Sequence, residues 1–248
     1  IINDNCFNYL KEIPSKSVDL ILVDPPYLIS KKSGFKNYSD DAKSDMITKY
    51  GKVSIDFGEW DKDEIDWDLL FSEYYRVLRD GGTLIFFFDI WKSTIIKEIA
   101  DKYKFKQPRI GQWHKTNPVP INSKVNYLSN AIEFFFTFVK GKKPTFNSVY
   151  DNGVYKYPLC HGKERLAHPT QKPLSLITDI LLKHSNPGDT ILDTFAGTFT
   201  VHNACDNLNL ECISIERDSV YFDIGRNRVN ENRIELNKKR HIPFLIYT

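Results

Sequence analysis

The chain has 248 residues, 41% of them hydrophobic and 27% charged, with a formal net charge of +2. These values exclude a collagen-like, low-complexity or intrinsically disordered chain and allow one large α/β domain or two small ones, of which one is expected. A near-neutral balance neither demands nor excludes a polyanionic partner, because it can conceal one basic face.

Cys6, Cys160, Cys205 and Cys212 lack the short paired spacings of zinc or redox sites and read as free thiols in a reducing compartment. No apolar run reaches the length of a membrane span, and the amino end carries no signal-peptide pattern. The expectation is a cytoplasmic protein with no membrane partner.

In chain order, residues 1–4 read as the end of a strand, and Phe7, Leu10 and Ile13 space a short amphipathic helix that Pro14 closes. Residues 18–23 form an apolar run without alternation, the pattern of a parallel strand buried on both faces. That run stops at Asp24-Pro25-Pro26-Tyr27, so a buried strand delivers polar chemistry to its own carboxyl end.

Two successive prolines have no N–H and a nearly fixed φ, which makes the turn stiff and leaves its carbonyls as outward acceptors. Asp24 adds a carboxylate and Tyr27 a flat π face. The set suits an exocyclic amine on a planar ring, with two acceptors for its hydrogens and one surface for stacking. The lone pair of such an amine is delocalised into the ring. Accepting both hydrogens, at Asp24 and at the Pro25 carbonyl, favours a pyramidal nitrogen with a localised lone pair, which stabilises the transition state for its attack. Taken alone, the four residues also describe a strand ending in a proline-stiffened turn against which Tyr27 packs.

Residues 28–64 are long, polar and poor in aliphatics, and read as a mobile flap beside the site, ending in the aromatic and acidic Asp56-Phe57-Gly58-Glu59-Trp60-Asp61. A helix is expected over 66–79 through Leu70, Tyr74, Val77 and Leu78, with Gly81-Gly82 as its stop, then a buried strand over 83–88 and a helix over 90–103. Alternating buried strands and helices indicate a parallel sheet. Residues 109–124 read as irregular, polar and basic, and 131–139 as a phenylalanine-dense strand. Residues 140–172 read as loop, carrying Lys140, Lys142, Lys143, Lys156, Lys163, Arg165 and Lys172 against few acids. They form either a phosphate-facing surface or a solvated loop.

His168-Pro169-Thr170-Gln171-Lys172-Pro173 precedes a helix with Leu174, Ile177, Leu181 and Leu182 on its inner stripe. A short strand over 190–192 ends at Asp193-Thr194-Phe195-Ala196-Gly197-Thr198-Phe199-Thr200, followed by a helix to residue 207 and a strand over 212–215 that stops at Glu216. A basic helix with Arg226 and Arg228 comes after it. Strand, glycine turn, helix, strand, acid outlines a nucleoside-binding unit in which the acid accepts from two ribose hydroxyls. A three-glycine dinucleotide fingerprint is missing. A ligand with a ribose and no pyrophosphate, S-adenosylmethionine above all, fits better. Glu216 by itself could equally cap its strand or pair with Arg217.

Together, Asp24-Pro25-Pro26-Tyr27, His168 to Pro173, Phe195-Ala196-Gly197 and Glu216 resemble the N6-adenine DNA amino-methyltransferases, in the permuted order where the catalytic motif precedes the cofactor motif. Phe57-Gly58-Glu59-Trp60-Asp61 and Asn117-Pro118-Val119-Pro120 resemble segments of one bacterial branch. The likeness spans nearly the whole chain. It implies a single Rossmann-like methyltransferase domain over 1–248, with a mostly parallel seven-stranded sheet and helices on both faces. It also implies S-adenosylmethionine as cofactor, double-stranded DNA as substrate and a flipped-out adenine held by Asp24, Pro25, Pro26 and Tyr27. The flap and the segments at about 109–130 and 140–167 would read the target sequence. The resemblance assigns Asp4 to the cofactor's adenine, Thr170 and Lys172 to the neighbourhood of its methionine end, Phe195, Ala196, Gly197 and Thr198 to the wrap around it and Glu216 to the ribose. Asp193 belongs to the same cofactor set.

No metal is called for, because a sulfonium is already an activated methyl donor. A homodimer and a cognate restriction endonuclease are both compatible with the family. Asp in place of Ser before Pro25-Pro26 favours adenine over cytosine N4. One departure stands out: Phe199 occupies the place of the family's second glycine, and Thr198 that of its serine. If that position needs positive φ or close ligand approach, the cofactor site is weakened, and a nucleic-acid-binding homologue without turnover becomes the alternative.

Overall fold

The computed structural model describes residues 1–26, 65–119, 129–168 and 170–240. Tyr27, the expected flap at about 28–64, residues 120–128 and Pro169 lie outside them. The strands are β1 (Ile2–Asn3), β2 (Val18–Val23), β3 (Leu78–Phe88), β4 (Lys106–Lys115), β5 (Ile132–Val139), β6 (Val154–Tyr157), β7 (Thr190–Asp193) and β8 (Glu211–Glu216). The helices are α1 (Cys6–Tyr9), α2 (Trp67–Val77), α3 (Ser93–Lys102), α4 (Leu174–His184), α5 (Thr200–Leu208) and α6 (Ser219–Arg240).

The strands lie in the order β1-β8-β7-β2-β3-β5-β4-β6. Neighbours from β1 to β3 in that order are parallel, β5 runs antiparallel to both β3 and β4, and β6 is again parallel to β4. Every residue of β2 except Asp19 is buried, as is β3 from Gly81 to Phe88, so both faces of the sheet centre are covered by helices. Phe71 of α2 packs its ring against Phe86, Phe105 and Phe138, joining α2 to the sheet through an aromatic core.

This is the expected mostly parallel α/β sheet, with eight strands among the described residues where seven were expected. The additional strand is β6, inside the stretch read as loop. Only Tyr155 of its residues is buried, so no apolar run marks it. The irregular reading of 109–124 is also corrected, because β4 extends to Lys115. Its alternation, with Gly111, Trp113 and Lys115 buried, is hidden by the glycine and the lysine. A side chain at Gly111 would collide with the Phe135 ring, whose Cζ lies 2.1 Å from the Cβ position.

The first long helix stops at Val77 rather than at the glycine pair. Gly81-Gly82 instead lies within β3, where Val18 pairs with Leu78 but Leu20 with Thr83. Gly81 absorbs that irregularity with φ +86°, a conformation costly for other residues. Leu182, placed on the inner stripe of α4, is 54% exposed. Lys140 is corrected too: it is buried, and its Nζ donates to the carbonyls of Tyr75 at 2.6 Å and Leu78 at 2.7 Å. It caps α2 instead of facing phosphate.

From β2 the chain proceeds to β3 on one side, and from β7 to β8 on the other, so the order reverses between β2 and β7. A parallel sheet opens a crevice beyond the carboxyl ends of its strands at such a point.

Candidate active site

Asp24 follows directly on β2, and Leu20 and Ile21 pair with Ile191 and Leu192 of β7. Continuing that register sets Asp24 level with the turn that begins at Thr194. β8 is the next strand along, and Asp193 pairs with Ser214, so Glu216 emerges at the same edge. Asn3 of β1 pairs with Glu216, and the Asp4 amide donates to the Glu216 carbonyl at 3.1 Å. Asp24, the 194–199 turn, Glu216 and Asp4 therefore line one edge of the sheet in that order.

The turn is built by backbone bonds. The Ala196 amide donates to the Ile215 carbonyl at 3.0 Å, and the Gly197 amide donates to Glu216 Oε2 at 2.7 Å. Glu216 Oε1 accepts from the Asp218 amide at 2.7 Å, so both oxygens are oriented while each retains a further lone pair. Burial raises the Glu216 carboxyl above its ordinary value, partly offset by those amides. Asp193 is 3% exposed and accepts from the Phe195 amide at 3.1 Å, and burial pushes its carboxyl well up. The Thr194 hydroxyl is hydrogen-bonded to the Tyr74 hydroxyl, tying the turn to α2. Asp4 is held by the Asn5 amide at 2.6 Å and Asn8 Nδ2 at 3.1 Å, both donating to its Oδ1.

Gly197 has φ +52°, and a Cβ there would lie 3.3 Å from His168 Nε2. The positive φ therefore favours glycine, and a side chain there would press on the His168 ring. His168 rests against Tyr221 at 4.5 Å between centroids, and its Nδ1 accepts from the Thr170 amide at 3.4 Å. Burial, reinforced by the Lys172 charge, lowers its pKa to about 4, so it is neutral near pH 7.

Phe199 does adopt the suspected left-handed conformation, with φ 57° and ψ 41°. Its ring, however, is fully buried in a cluster with Ala196 and Val229, against Ile1 and Phe222. Gly225 of α6 makes the room: a Cβ there would lie 2.4 Å from Phe199 Cδ2. The left-handed backbone costs about 1–2 kcal/mol, which burial of a phenylalanine ring, at about 1.5–3 kcal/mol, offsets.

At the other end of the crevice Lys172 forms an ion pair with Asp24 and a second with Glu133 Oε2 at 3.1 Å. Lys172, which the resemblance set near the methionine end of the cofactor, thus has two carboxylates as neighbours. Glu133 and its further partner Lys115 are residues that sequence reasoning missed. The signal was a single acid inside Ile-Glu-Phe-Phe-Phe-Thr-Phe-Val, since a carboxylate in such a strand needs cations close by. Tyr74 and Gly225 were missed as well.

The loop before the crevice is clipped in place by Gln171, whose Oε1 accepts from the Leu166 amide at 3.0 Å and whose Nε2 donates to the Glu164 carbonyl at 2.8 Å. Lys163 and Arg165, in that loop, are exposed beside the site. The backbone of Lys142 and Lys143 instead lies near Gly81, at the start of β3 and away from the crevice. Among the described residues no group of three or more His, Cys, Asp and Glu side chains could hold a metal ion, and no helix is long and apolar enough to cross a membrane.

Comparison with known proteins agrees with this layout. The type II methyltransferase M.HinfI of Haemophilus influenzae is 32% identical over 95% of this chain and 71% of its own length. The type II methyltransferase M2.MboI of Moraxella bovis is 27% identical over 93% and 87%. Among solved structures, the M1.HpyAVI–SAM complex superposes with a TM-score of 0.68 at 26% identity, covering 92% of this chain and 98% of that one. The cytosine-N4-specific PvuII DNA methyltransferase reaches the same TM-score of 0.68 at 14% identity over 93% and 89%, a likeness of fold alone. Residues 18–227 match the DNA methylase family designated N6_N4_Mtase, and the chain belongs to that family.

Proposed function

We propose that the protein transfers a methyl group from S-adenosylmethionine to the N6 amine of adenine in double-stranded DNA. The observation that carries this reading is the shared edge: Asp24 follows β2 only two strands away from Glu216 at the end of β8, with the Gly197 turn between them. The amine clamp and the nucleoside crevice therefore open into the same space.

The residues fit the cofactor. Glu216 offers pre-oriented carboxylate oxygens to two ribose hydroxyls, Asp4 lies beside it to read the adenine, and Phe195 to Thr198 wrap the nucleoside with Asp193 bracing the turn. Thr170 lies toward the methionine end. When bound, S-adenosylmethionine supplies an electrophilic methyl on a sulfonium. Asp24 and the Pro25 carbonyl accept the two hydrogens of the acceptor amine, localising its lone pair for in-line attack. A base inside a duplex cannot reach a strand end, so the target adenine is flipped out, with Tyr27 as its stacking face.

The PvuII neighbour shows that this fold also serves cytosine N4, so the choice of base rests on Asp24 rather than on architecture. The alternative of a binding module without turnover depended on Phe199, and its ring packs under α6 instead of entering the crevice. The segments at 109–130 and 140–167 read the target, with exposed Lys156, Lys163 and Arg165 contacting phosphate. The type II designation of M.HinfI and M2.MboI supports a role beside a restriction endonuclease.

The test is modification-sensitive sequencing of DNA from methylation-deficient cells expressing the chain. N6-methyladenine at one recurring sequence is expected. N4-methylcytosine would transfer the assignment to the other base, and unmodified DNA from cells making folded protein would leave only the binding module.

A further inference from the structure

Resting on the reading of Asp24 as the amine clamp, we propose that Glu133 is a positioning residue for methyl transfer, acting on Asp24 through Lys172 with Lys115 as its counter-charge. Glu133 stands in β5 between Ile132 and Phe134. Its two oxygens face different lysines: Oε1 is 2.8 Å from Lys115 Nζ, and the buried Oε2 is 3.1 Å from Lys172 Nζ, an ion pair without hydrogen-bond geometry. The Lys172 ammonium continues to Asp24 and lies over the Phe87 ring at 5.1 Å from its centroid. Charges thus alternate along Asp24, Lys172, Glu133 and Lys115 and sum to zero. Lys172 and Lys115 are nearly withdrawn from solvent, with side-chain exposures of 7% and 10%.

Four separate chain segments, ending or running in β2, β4, β5 and the approach to α4, contribute one charge each. Fold stability alone does not call for such a row, because well-packed apolar residues of similar volume are often as stable as buried ion pairs. Chemistry at Asp24 does call for it. A lysine paired with Asp24 alone would concentrate its charge there and compete with the substrate amine for the same carboxylate. Glu133 shares that ammonium, fixes where it sits and leaves Asp24 oriented as an acceptor. Lys115, also donating to the Asn130 carbonyl at 3.3 Å, keeps Glu133 from swinging fully onto Lys172.

Among the described residues, the titratable and charged groups facing Lys172 include Asp24, Glu133 and His168, with Lys115 beyond Glu133. Burial alone would lower the Lys172 pKa, but the two carboxylates reverse this and hold it above its ordinary value. Burial likewise opposes the Glu133 charge, and Lys172 and Lys115 bring its pKa below the usual range. Removing the Glu133 charge should therefore lower the Lys172 pKa, with Asp24 left as its carboxylate partner.

The experiment uses the full chain with tritiated S-adenosylmethionine and amplified genomic DNA, which contains every target sequence without methyl groups. For Glu133→Gln, cofactor affinity by calorimetry should stay within about twofold of wild type. Its kcat should fall about 10- to 100-fold, with the alkaline side of its pH profile moved to lower pH than in the wild type. The double variant Glu133→Gln/Lys115→Met separates this from a merely structural role, since it leaves no orphaned lysine at position 115. A double variant as slow as the single supports the proposal. Recovery of wild-type rate in the double variant overturns it, as does a single variant with unchanged kcat and pH profile. If Glu133→Gln does not fold, the double variant is compared with the wild type: a kcat about 10- to 100-fold lower supports the proposal and a wild-type rate overturns it. A wild type that binds cofactor yet methylates no DNA removes the reading of Asp24 and this proposal with it. An active wild type beside an unaffected Glu133→Gln removes this proposal alone.

Discussion

At the end of β7 the chain curls through Phe195 to Phe199 on backbone hydrogen bonds, a glycine with positive φ close against His168 and a phenylalanine ring driven under α6. At the end of β2, the neighbouring strand, Asp24 is held by a row of alternating charges. One wall of the crevice is set by volume and φ, the other by electrostatics. The turn should therefore fail when atoms are added or removed and tolerate changes of charge, while the Asp24 wall should keep its shape and lose its chemistry when a charge is neutralised.

The largest effect is expected at the charged wall. Asp24→Ala should reduce methyl transfer at least about a hundredfold while leaving cofactor affinity close to wild type by calorimetry. Parallel loss of both would place Asp24 in the cofactor site instead and erase the contrast between the walls.

The next effect belongs to the turn. Gly225→Ala drives a methyl into the Phe199 ring and should cost about 1–3 kcal/mol, read as a fall in Tm of about 5 °C. In a Phe199→Ala background the same change should stabilise by up to about 1 kcal/mol, because alanine outranks glycine within a helix. A Gly225→Ala penalty of equal size in both backgrounds would mean that the ring and the glycine do not share that space.

A smaller effect concerns acid. His168 is neutral in the folded protein because burial lowers its pKa to about 4, against an ordinary value of 6.5. The unfolded chain binds more protons between those values, so this group's stabilising contribution is complete above about pH 6.5 and is lost as pH falls toward about 4. Wild-type Tm should drop over that interval, and His168→Asn should flatten the drop by about 5 °C or less. An identical slope in the variant would assign the acid sensitivity elsewhere, His184 being the other histidine with a pKa lowered to about 4 by burial.

The same division explains what could be read from the sequence. Strand ends were legible because apolar runs stop abruptly at Asp24 and Asp193, and Gly197 announced a turn with positive φ. The sequence also marked position 199 as one where positive φ or close ligand approach would matter. It could not say where the ring would go, because Gly225 answers Phe199 from a different helix. Lys115, Glu133 and Lys172 were invisible as a row for the same reason: each belongs to a different segment, and only the fold of β4, β5 and the loop before α4 brings both lysines within 4 Å of the Glu133 carboxylate. β4 was lost to a glycine and a buried lysine, each correct only in view of its partner, Phe135 for one and Glu133 for the other. Tyr27 remains a reading from the motif.

The most direct measurement is nucleoside mass spectrometry of unmethylated DNA incubated with the protein and S-adenosylmethionine carrying a deuterated methyl group. Deuterated N6-methyladenine is the expected product, formed by the wild type and not by Asp24→Ala. Label in N4-methylcytosine, or equal labelling of adenine by the Asp24→Ala protein, would contradict it.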